Sequence, residues 1–123
     1  MDSTNTETLD DLLMKLLSAI PEVKAAAIVS VEGLPIASAL PQGVDETRIS
    51  AMTAALLSLA ERAVHEMEKG DFDQLLVRGS EGDLLVLAAG TNAVLVCSTT
   101  KDIKLGLILL DAKRMCEKIA KLI

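Results

Sequence analysis

Hydrophobic residues recur along the chain with two different periods, and the first of these is helical. Leucine and isoleucine repeat at three- and four-residue intervals over residues 5–19, which predicts an amphipathic helix. Thr4 and Glu7 have the spacing of a capping box, and Pro21 ends the helix because proline cannot continue it. The polar residues 1–5 are expected to be disordered.

The helical period returns twice more along the chain. Residues 45–69 predict a long middle helix, for which Gly70 is the expected C-cap. Residues 101–121 predict a last helix. Its expected inward positions share helical spacing and are Leu105, Ile108, Leu109, Ala112, Cys116 and Ile119.

Between the helices, the pattern is typical of β-strands. Residues 24–31 predict a strand that is apolar on both faces, and residues 32–33 form a two-residue connection to a second strand over residues 34–38. Pro35 cannot donate a hydrogen bond to a ladder, which places the second strand at a sheet edge. Three more strands, joined by short turns that contain glycine, are predicted at residues 73–78, 83–89 and 93–98.

The fold class follows from a conflict between the strands and their connections. Short connections require antiparallel pairing, and an antiparallel sheet usually leaves one face polar. These strands are apolar on both faces, so helices must cover both. The sequence therefore predicts a single α+β domain over residues 1–123, a helix–sheet–helix sandwich around a five-stranded antiparallel sheet, with the order α-β-β-α-β-β-β-α.

The middle helix has more apolar surface than one sheet can cover. Its apolar residues span an arc of about 160°, whereas a helix on one sheet needs about 100°. The surplus indicates a second burial partner, although a deep groove on the sheet or a singly exposed Leu57 would also explain it. The residues of the arc are Ile49, Met52, Leu56, Leu57, Leu59, Ala60, Ala63, Val64 and Met67.

The third strand is expected at the sheet edge opposite Pro35, because a long helical crossover precedes it. It contains neither proline nor lysine, the usual protection of an exposed edge, so it invites pairing with a second copy. A short edge guarded by Asp73 and Arg78 is the alternative. A two-fold dimer would bury this edge together with the surplus face of the middle helix. The candidate dimer-interface residues are Thr53, Leu57, Ala60, Val64, Gln74, Leu75, Leu76, Val77 and Arg78.

Charge and composition narrow the classes of partner. The formal net charge is −6 and Phe72 is the only aromatic residue, so the chain lacks the basic surface and the stacking platforms that nucleic acids require. No apolar run approaches the roughly 18 residues of a spanning helix, so no membrane insertion is expected. Cys97 and Cys116 lie in apolar segments and indicate buried free thiols of a cytoplasmic protein.

Catalytic, cofactor-binding and metal-binding residues are not expected. The chain has no P-loop motif, so it is not itself a P-loop GTPase. His65 is the only histidine and lies on the polar face of the middle helix, which favours a solvated side chain over a ligand or a general base. Glu61, Glu66 and Glu68 are expected on the same solvated face rather than beside a pocket. We therefore expect a protein without enzyme activity.

Three residues of the last helix do not fit its inward stripe. Ile103, Leu107 and Leu110 point away from the stripe, next to Gly106. Packing against the first helix is the favoured interpretation, and a patch that binds a partner is the alternative.

Three segments of the chain resemble the roadblock/dynein-light-chain family. They are the hairpin VSVEGLPIAS, the helix ISAMTAALLSLAERA and the closing KLGLILLDAKRMCEKI. They occur in the order and spacing of the family, and the resemblance covers about residues 7–120. It implies a profilin-like fold and a homodimer in which the middle helices pack together and the third strands join two sheets.

The resemblance also implies a function. Family members act as adaptors and regulators of small Ras-like GTPases, or as light chains of larger assemblies. This chain is therefore expected to be a cytoplasmic, non-enzymatic homodimer that binds such a GTPase. The alternative is a structural light chain without nucleotide dependence, and a small-molecule-binding protein or an enzyme is a third class. The candidate partner-binding residues are Arg48, Arg62, Leu107 and Leu110, and Arg78 is a further candidate for an arginine inserted in trans.

Overall fold

A computed structural model describes residues 7–123 and arranges them as three helices and five strands. The predicted order of elements is confirmed. The Thr4 cap and the expected disorder of residues 1–5 lie outside the described residues. The elements are α1 Leu9–Ala19, β1 Val23–Ser30, β2 Pro35–Ala39, α2 Glu46–Glu66, β3 Gln74–Gly79, β4 Gly82–Ala89, β5 Ala93–Thr99 and α3 Leu105–Leu122.

The five strands form one sheet in the order β2-β1-β5-β4-β3, and every neighbouring pair is antiparallel. The strand that contains Pro35 lies at one edge, where its missing N–H removes no ladder bond to a second neighbour. β3 lies at the other edge. Both edge predictions are confirmed.

Helices cover both faces of the sheet, as the apolar strands require. Leu12, Leu13 and Leu16 of α1 and Ile108, Ala112 and Ile119 of α3 form one core with the first face. On the second face, Leu57 of α2 packs with a smaller set of strand valines. The predicted helix–sheet–helix sandwich is confirmed.

The ends of α1 and α3 differ from the predicted ends. α1 begins at Leu9, where the Thr8 side chain accepts from the Asp11 N–H and the Asp11 carboxylate accepts from the Thr8 N–H. α3 begins at Leu105 with Lys104 as the N-cap, and the left-handed backbone of Asp102, with φ +60°, excludes a start at residue 101.

The C-terminus of α2 is a Schellman motif that the sequence did not reveal. The helix ends at Glu66 with Met67 as the C-cap, and Glu68 rather than Gly70 is the first residue with positive φ, at +55°. The Lys69 N–H donates to the Val64 carbonyl at 2.7 Å, and the Glu68 N–H donates to the His65 carbonyl at 3.1 Å. These two bonds offset the cost of a left-handed glutamate, so the prediction of a Gly70 cap is wrong.

Replacing Glu68 by glycine is expected to stabilise the protein. Glycine adopts positive φ without the steric cost of a Cβ atom, and we expect a gain of about 1 kcal/mol in the free energy of unfolding. Urea unfolding followed by circular dichroism measures it. Glu68→Ala removes the same charge but keeps the Cβ, so it should show no such gain; equal stability of the two variants would contradict the expectation.

The first hairpin has a longer connection than predicted. Residues 31–34 link β1 to β2, and Gly33 has φ +96°. The Ser30 N–H donates to the Leu34 carbonyl, and the Leu34 N–H donates to the Ser30 side chain. A Cβ atom on Gly33 would lie 3.3 Å from the Ala54 Cβ, so this connection lies close against α2.

Candidate functional site

The inward face of α2 packs against the sheet of its own chain. Ser50, Thr53 and Leu57 are buried, the last two with only 3% of their surface exposed. Thr53 and Leu57, predicted for a dimer interface, therefore have no surface to offer a second chain. Ala60 and Val64, also predicted, are half-buried.

The outward face of α2 carries a stripe of exposed apolar side chains. Met52 and Leu59 are 53% and 63% exposed. They lie 140–160° from Leu57 at about 100° per residue, so the sheet cannot reach them. They belong to the apolar arc seen in the sequence, but only the position of the sheet shows which half of that arc stays uncovered.

The sheet also has an uncovered apolar area beside α2. α2 packs mainly on β1 and β2, which leaves part of β3 and β4 uncovered on the same face. Val77 and Leu84 lie opposite each other there, and both are more than a third exposed. An apolar concavity of about 250 Å³ opens next to them, lined by Val44, Ile49 and Val96 among others.

The backbone of β3 is open along its outer side. The Ala88 N–H donates to the Asp73 carbonyl at 3.1 Å, which makes these two residues a hydrogen-bonded pair. Because such pairs alternate along an antiparallel ladder, the N–H and C=O groups of Gln74, Leu76 and Arg78 point away from β4. These three residues therefore present donors and acceptors to any strand that approaches this edge.

The β3 side chains alternate between the two faces of the sheet. Leu75 pairs with Val86 on the α2 side and is half-buried, whereas Leu76 pairs with Leu85 on the side of α1 and α3. Leu76 and Val77 are each 38% exposed, and Gln74 is exposed. The strand thus combines an open backbone with apolar side chains.

Arg78 is engaged within its own chain. Its guanidinium donates to one carboxylate oxygen of Asp83, from Nε at 3.3 Å and from Nη2 at 3.1 Å. The Asp83 side chain is buried, so it would be left as an unpaired buried charge without Arg78. This pairing makes Arg78 a poor candidate for insertion into a partner.

The four candidate partner-binding residues lie on two opposite sides of the sheet. Arg48 and Arg62 are exposed on α2, about 21 Å apart along the helix. Leu107 and Leu110 are exposed on α3, in the other helical layer. Leu107 lines a shallow concavity together with Ala19 at the end of α1, and Ile103 packs against the core. No single surface can use all four residues.

The two cysteines are free thiols inside the core on the side of α1 and α3. Burial raises the pKa of the Cys97 thiol to about 12, with a smaller contribution from Cys116. Burial also raises the pKa of Cys116 to about 12, helped by the carboxylates of Asp73 and Glu117. Both thiols are therefore protonated and unreactive near neutral pH.

The part of the chain that the structure describes contains neither a metal-binding cluster nor a membrane-spanning helix. Within residues 7–123, no group of three or more histidine, cysteine, aspartate or glutamate side chains could hold a metal ion. The helices in this range are all too short or too polar to cross a membrane.

Solved structures with this fold share low sequence identity with the chain. MglB of Myxococcus xanthus superposes with a TM-score of 0.87 at 21% identity, over 96% of both chains. MglB in a tetrameric arrangement gives 0.84 at 19% identity, over 93% of this chain and 86% of that one. Profilin II of Acanthamoeba castellanii gives 0.64 at 14% identity, over 93% and 98%. The predicted profilin-like fold is confirmed.

Sequence comparison identifies the family. The uncharacterized protein MJ1340 of Methanocaldococcus jannaschii is 36% identical over 111 residues, which cover 90% of this chain and 96% of that protein. The family model for the Roadblock/LC7 domain matches residues 9–99. Since this match extends from α1 through β5 and the fold agrees with it, the chain belongs to the Roadblock/LC7 family.

Proposed function

We propose that this protein is a cytoplasmic, non-enzymatic homodimer that binds a small Ras-like GTPase and regulates its nucleotide state or its location. The observation that supports the proposal is that two surfaces typical of an interface, one apolar and one a strand edge with unpaired backbone groups, lie side by side in this member of the family. An apolar stripe on α2 lies exposed beside an open sheet edge on β3. Regulation of such GTPases is the activity that the roadblock resemblance implies.

A two-fold dimer would pair the open backbone of β3 and bury the apolar stripe of α2 in one interface. Pairing of two β3 strands would use the outward backbone groups of Gln74, Leu76 and Arg78. Contact between two α2 helices would cover Met52 and Leu59, which are 53% and 63% exposed on one face of the helix. The two free thiols support the proposed cytoplasmic location, because oxidising compartments favour disulfides.

The arginines on α2 are the best placed groups for a GTPase. Arg48 and Arg62 are exposed at the two ends of the apolar stripe, whereas Arg78 is engaged by Asp83. We propose that a stimulated GTP hydrolysis would arise from ordering of the GTPase's own switch groups. Insertion of an arginine in trans is the other route, and it is worth about 10³–10⁵ in rate where it occurs.

Binding to small Ras-like GTPases of the same organism tests the proposal. Each GTPase is loaded with GDP or with a non-hydrolysable GTP analogue and titrated with the protein by calorimetry. We expect about a tenfold preference for one nucleotide state, a typical size for such coupling. Leu59→Glu places a charge in the α2 stripe and should abolish both the dimer and the binding.

Matched variants separate the alternatives. Met14→Glu places the same charge on an exposed apolar residue of α1 and should leave binding unchanged. A folded dimer that binds no GTPase in either state would refute the proposal, and equal affinity for both states would favour a structural light chain. A further decisive result is a loss of more than about 1000-fold in the stimulated rate of hydrolysis in Arg48→Ala or Arg62→Ala. That result would show that an arginine is inserted in trans and would rule out ordering of the switch groups as the mechanism.

A further inference from the structure

A second concave site lies at the C-terminal end of α2, next to the segment that leads into β3. The concavity has a volume of about 370 Å³ and lies between α2, Phe72 and the turn that joins β4 to β5. This volume is at the lower end of the range for small-ligand pockets. Glu61 lines it, so the expectation that this carboxylate does not flank a pocket is wrong.

The floor and the rim of this concavity differ in chemistry. The floor is apolar, with buried Leu57 and Val94 and half-buried Val31. The rim carries Glu61, His65 and Asp71, and the His65 Nε2 lies 4.0 Å from the Asp71 Oδ1. No lysine or arginine is among the lining residues, so the two carboxylates make the rim negative.

Phe72 completes the wall of the concavity. It is the only aromatic residue of the chain, and it packs against the α2-side core while still lining the site. An aromatic ring beside carboxylates suits a cation that is planar and only weakly hydrated. An anion would be repelled by the rim and by the net charge of −6.

We propose that this concavity receives an arginine side chain of a partner protein. The aliphatic stem would lie on half-buried Val31 and Ala88, and the guanidinium would reach the ring of Phe72 and the carboxylates of Glu61 and Asp71. Arginine fits better than lysine because its planar group both stacks on aromatic rings and donates to two carboxylates. The site lies within one chain, so it depends neither on the proposed dimer nor on a GTPase.

Nuclear magnetic resonance offers a clean test, because Phe72 and His65 supply all the aromatic side-chain signals of the chain. N-propylguanidinium chloride is the probe, and we expect saturable shifts of the Phe72 ring signals with a dissociation constant on the order of 10 mM. Propylammonium should bind more weakly. Propanoate at the same ionic strength should leave the ring signals unchanged.

Charge-matched double variants assign the effect to the rim. Glu61→Gln with Asp71→Asn should weaken probe binding about fivefold to tenfold. Glu66→Gln with Glu117→Gln removes the same net charge from exposed positions outside the concavity and should leave binding within about twofold of the parent. Phe72→Leu, followed through the His65 ring and backbone amides, should weaken binding about threefold.

Three results would overturn the proposal. The first is equal weakening by the two double variants, which would show only an effect of net charge. The second is an equal response to propanoate, which would show that the probes bind nonspecifically and not through the guanidinium group. The third is a shift of the Phe72 signals with protein concentration and no probe, which would assign the concavity to a second copy of this chain.

Discussion

Replacing Leu76 by proline is expected to convert the proposed dimer into a folded monomer. The Leu76 N–H points away from β4, so its loss removes no hydrogen bond within the chain. In a two-fold dimer the loss occurs twice, once on each strand. At about 1–1.5 kcal/mol per bond this amounts to about 2–3 kcal/mol, or roughly a hundredfold in the dissociation constant.

Sedimentation equilibrium with interference optics measures the effect, because the chain contains neither Trp nor Tyr for absorbance detection. We expect a mass near twice 13.0 kDa for the parent and near 13.0 kDa for the variant at micromolar concentration. Val77→Pro is the matched control. The Val77 N–H points towards β4, so that variant should lose stability of the fold itself.

The comparison of the two proline variants makes the result decisive. Leu76→Pro should keep the circular dichroism spectrum of the parent and should unfold near the thermal midpoint of a folded single chain. Val77→Pro should lower that midpoint. A parent protein that sediments as a monomer would contradict the dimer. A dimer that persists in Leu76→Pro would place the interface away from β3.

Raising the pH from 9 towards 12 is expected to destabilise the protein through its two buried thiols. Cysteine in an unfolded chain ionises near its ordinary pKa of 9.0, whereas burial raises the pKa of both native thiols to about 12. The unfolded state therefore releases these protons first. The stabilising contribution is complete below pH 9 and is lost as the pH rises through the native pKa.

The expected loss is large for a protein of this size. Each thiol contributes about 1.4 kcal/mol per pH unit between the two pKa values, which amounts to about 4 kcal/mol per thiol by pH 12. A typical domain has only about 5–15 kcal/mol in total. Urea unfolding at a series of pH values, with a phosphine reductant present, measures the slope.

A variant without thiols separates this effect from the titration of lysines. Cys97→Ala with Cys116→Ala should be less stable near neutral pH, because truncation leaves small cavities in the core. Above pH 9 its stability should fall less steeply than that of the parent. Parallel curves for the two proteins would show that the buried thiols do not cause the alkaline loss.

The prediction of helix ends failed where local sequence signals compete with a small number of backbone bonds. Gly70 looked like the C-cap of α2 because glycine tolerates positive φ, yet Glu68 takes that conformation two residues earlier. The two Schellman hydrogen bonds stabilise the left-handed conformation at Glu68. They join backbone groups, so they form wherever the helix stops, whatever residue type lies there. No sequence pattern encodes that competition.

The predicted surplus of apolar surface on α2 is present, but Thr53 and Leu57 do not contribute to it. The arc of apolar residues on α2 was wide enough to indicate a second contact. Thr53 and Leu57 nevertheless face the sheet, whereas Met52 and Leu59 face outward. A helical arc has no intrinsic inward direction, so only the docked sheet divides it into two faces.

The concavity beside Phe72 was invisible in the sequence for a similar reason. Glu61 and Asp71 are ten residues apart along the chain, and the β4–β5 turn lies farther still. Only the end of α2 and the path of the chain into β3 bring them to one rim. Net charge and the single aromatic residue were visible, but their proximity was not.

The order of elements, the antiparallel sheet, the edge position of β2 and the need for helices on both faces could all be predicted from local sequence patterns. Periodicity, proline and short connections are local properties, and a local property can be read along the chain. Which side of α2 is exposed, which backbone groups of β3 are unpaired, and which carboxylates lie near Phe72 could not be predicted in this way. These depend on the relative placement of distant segments, which is set by packing and not by any one segment.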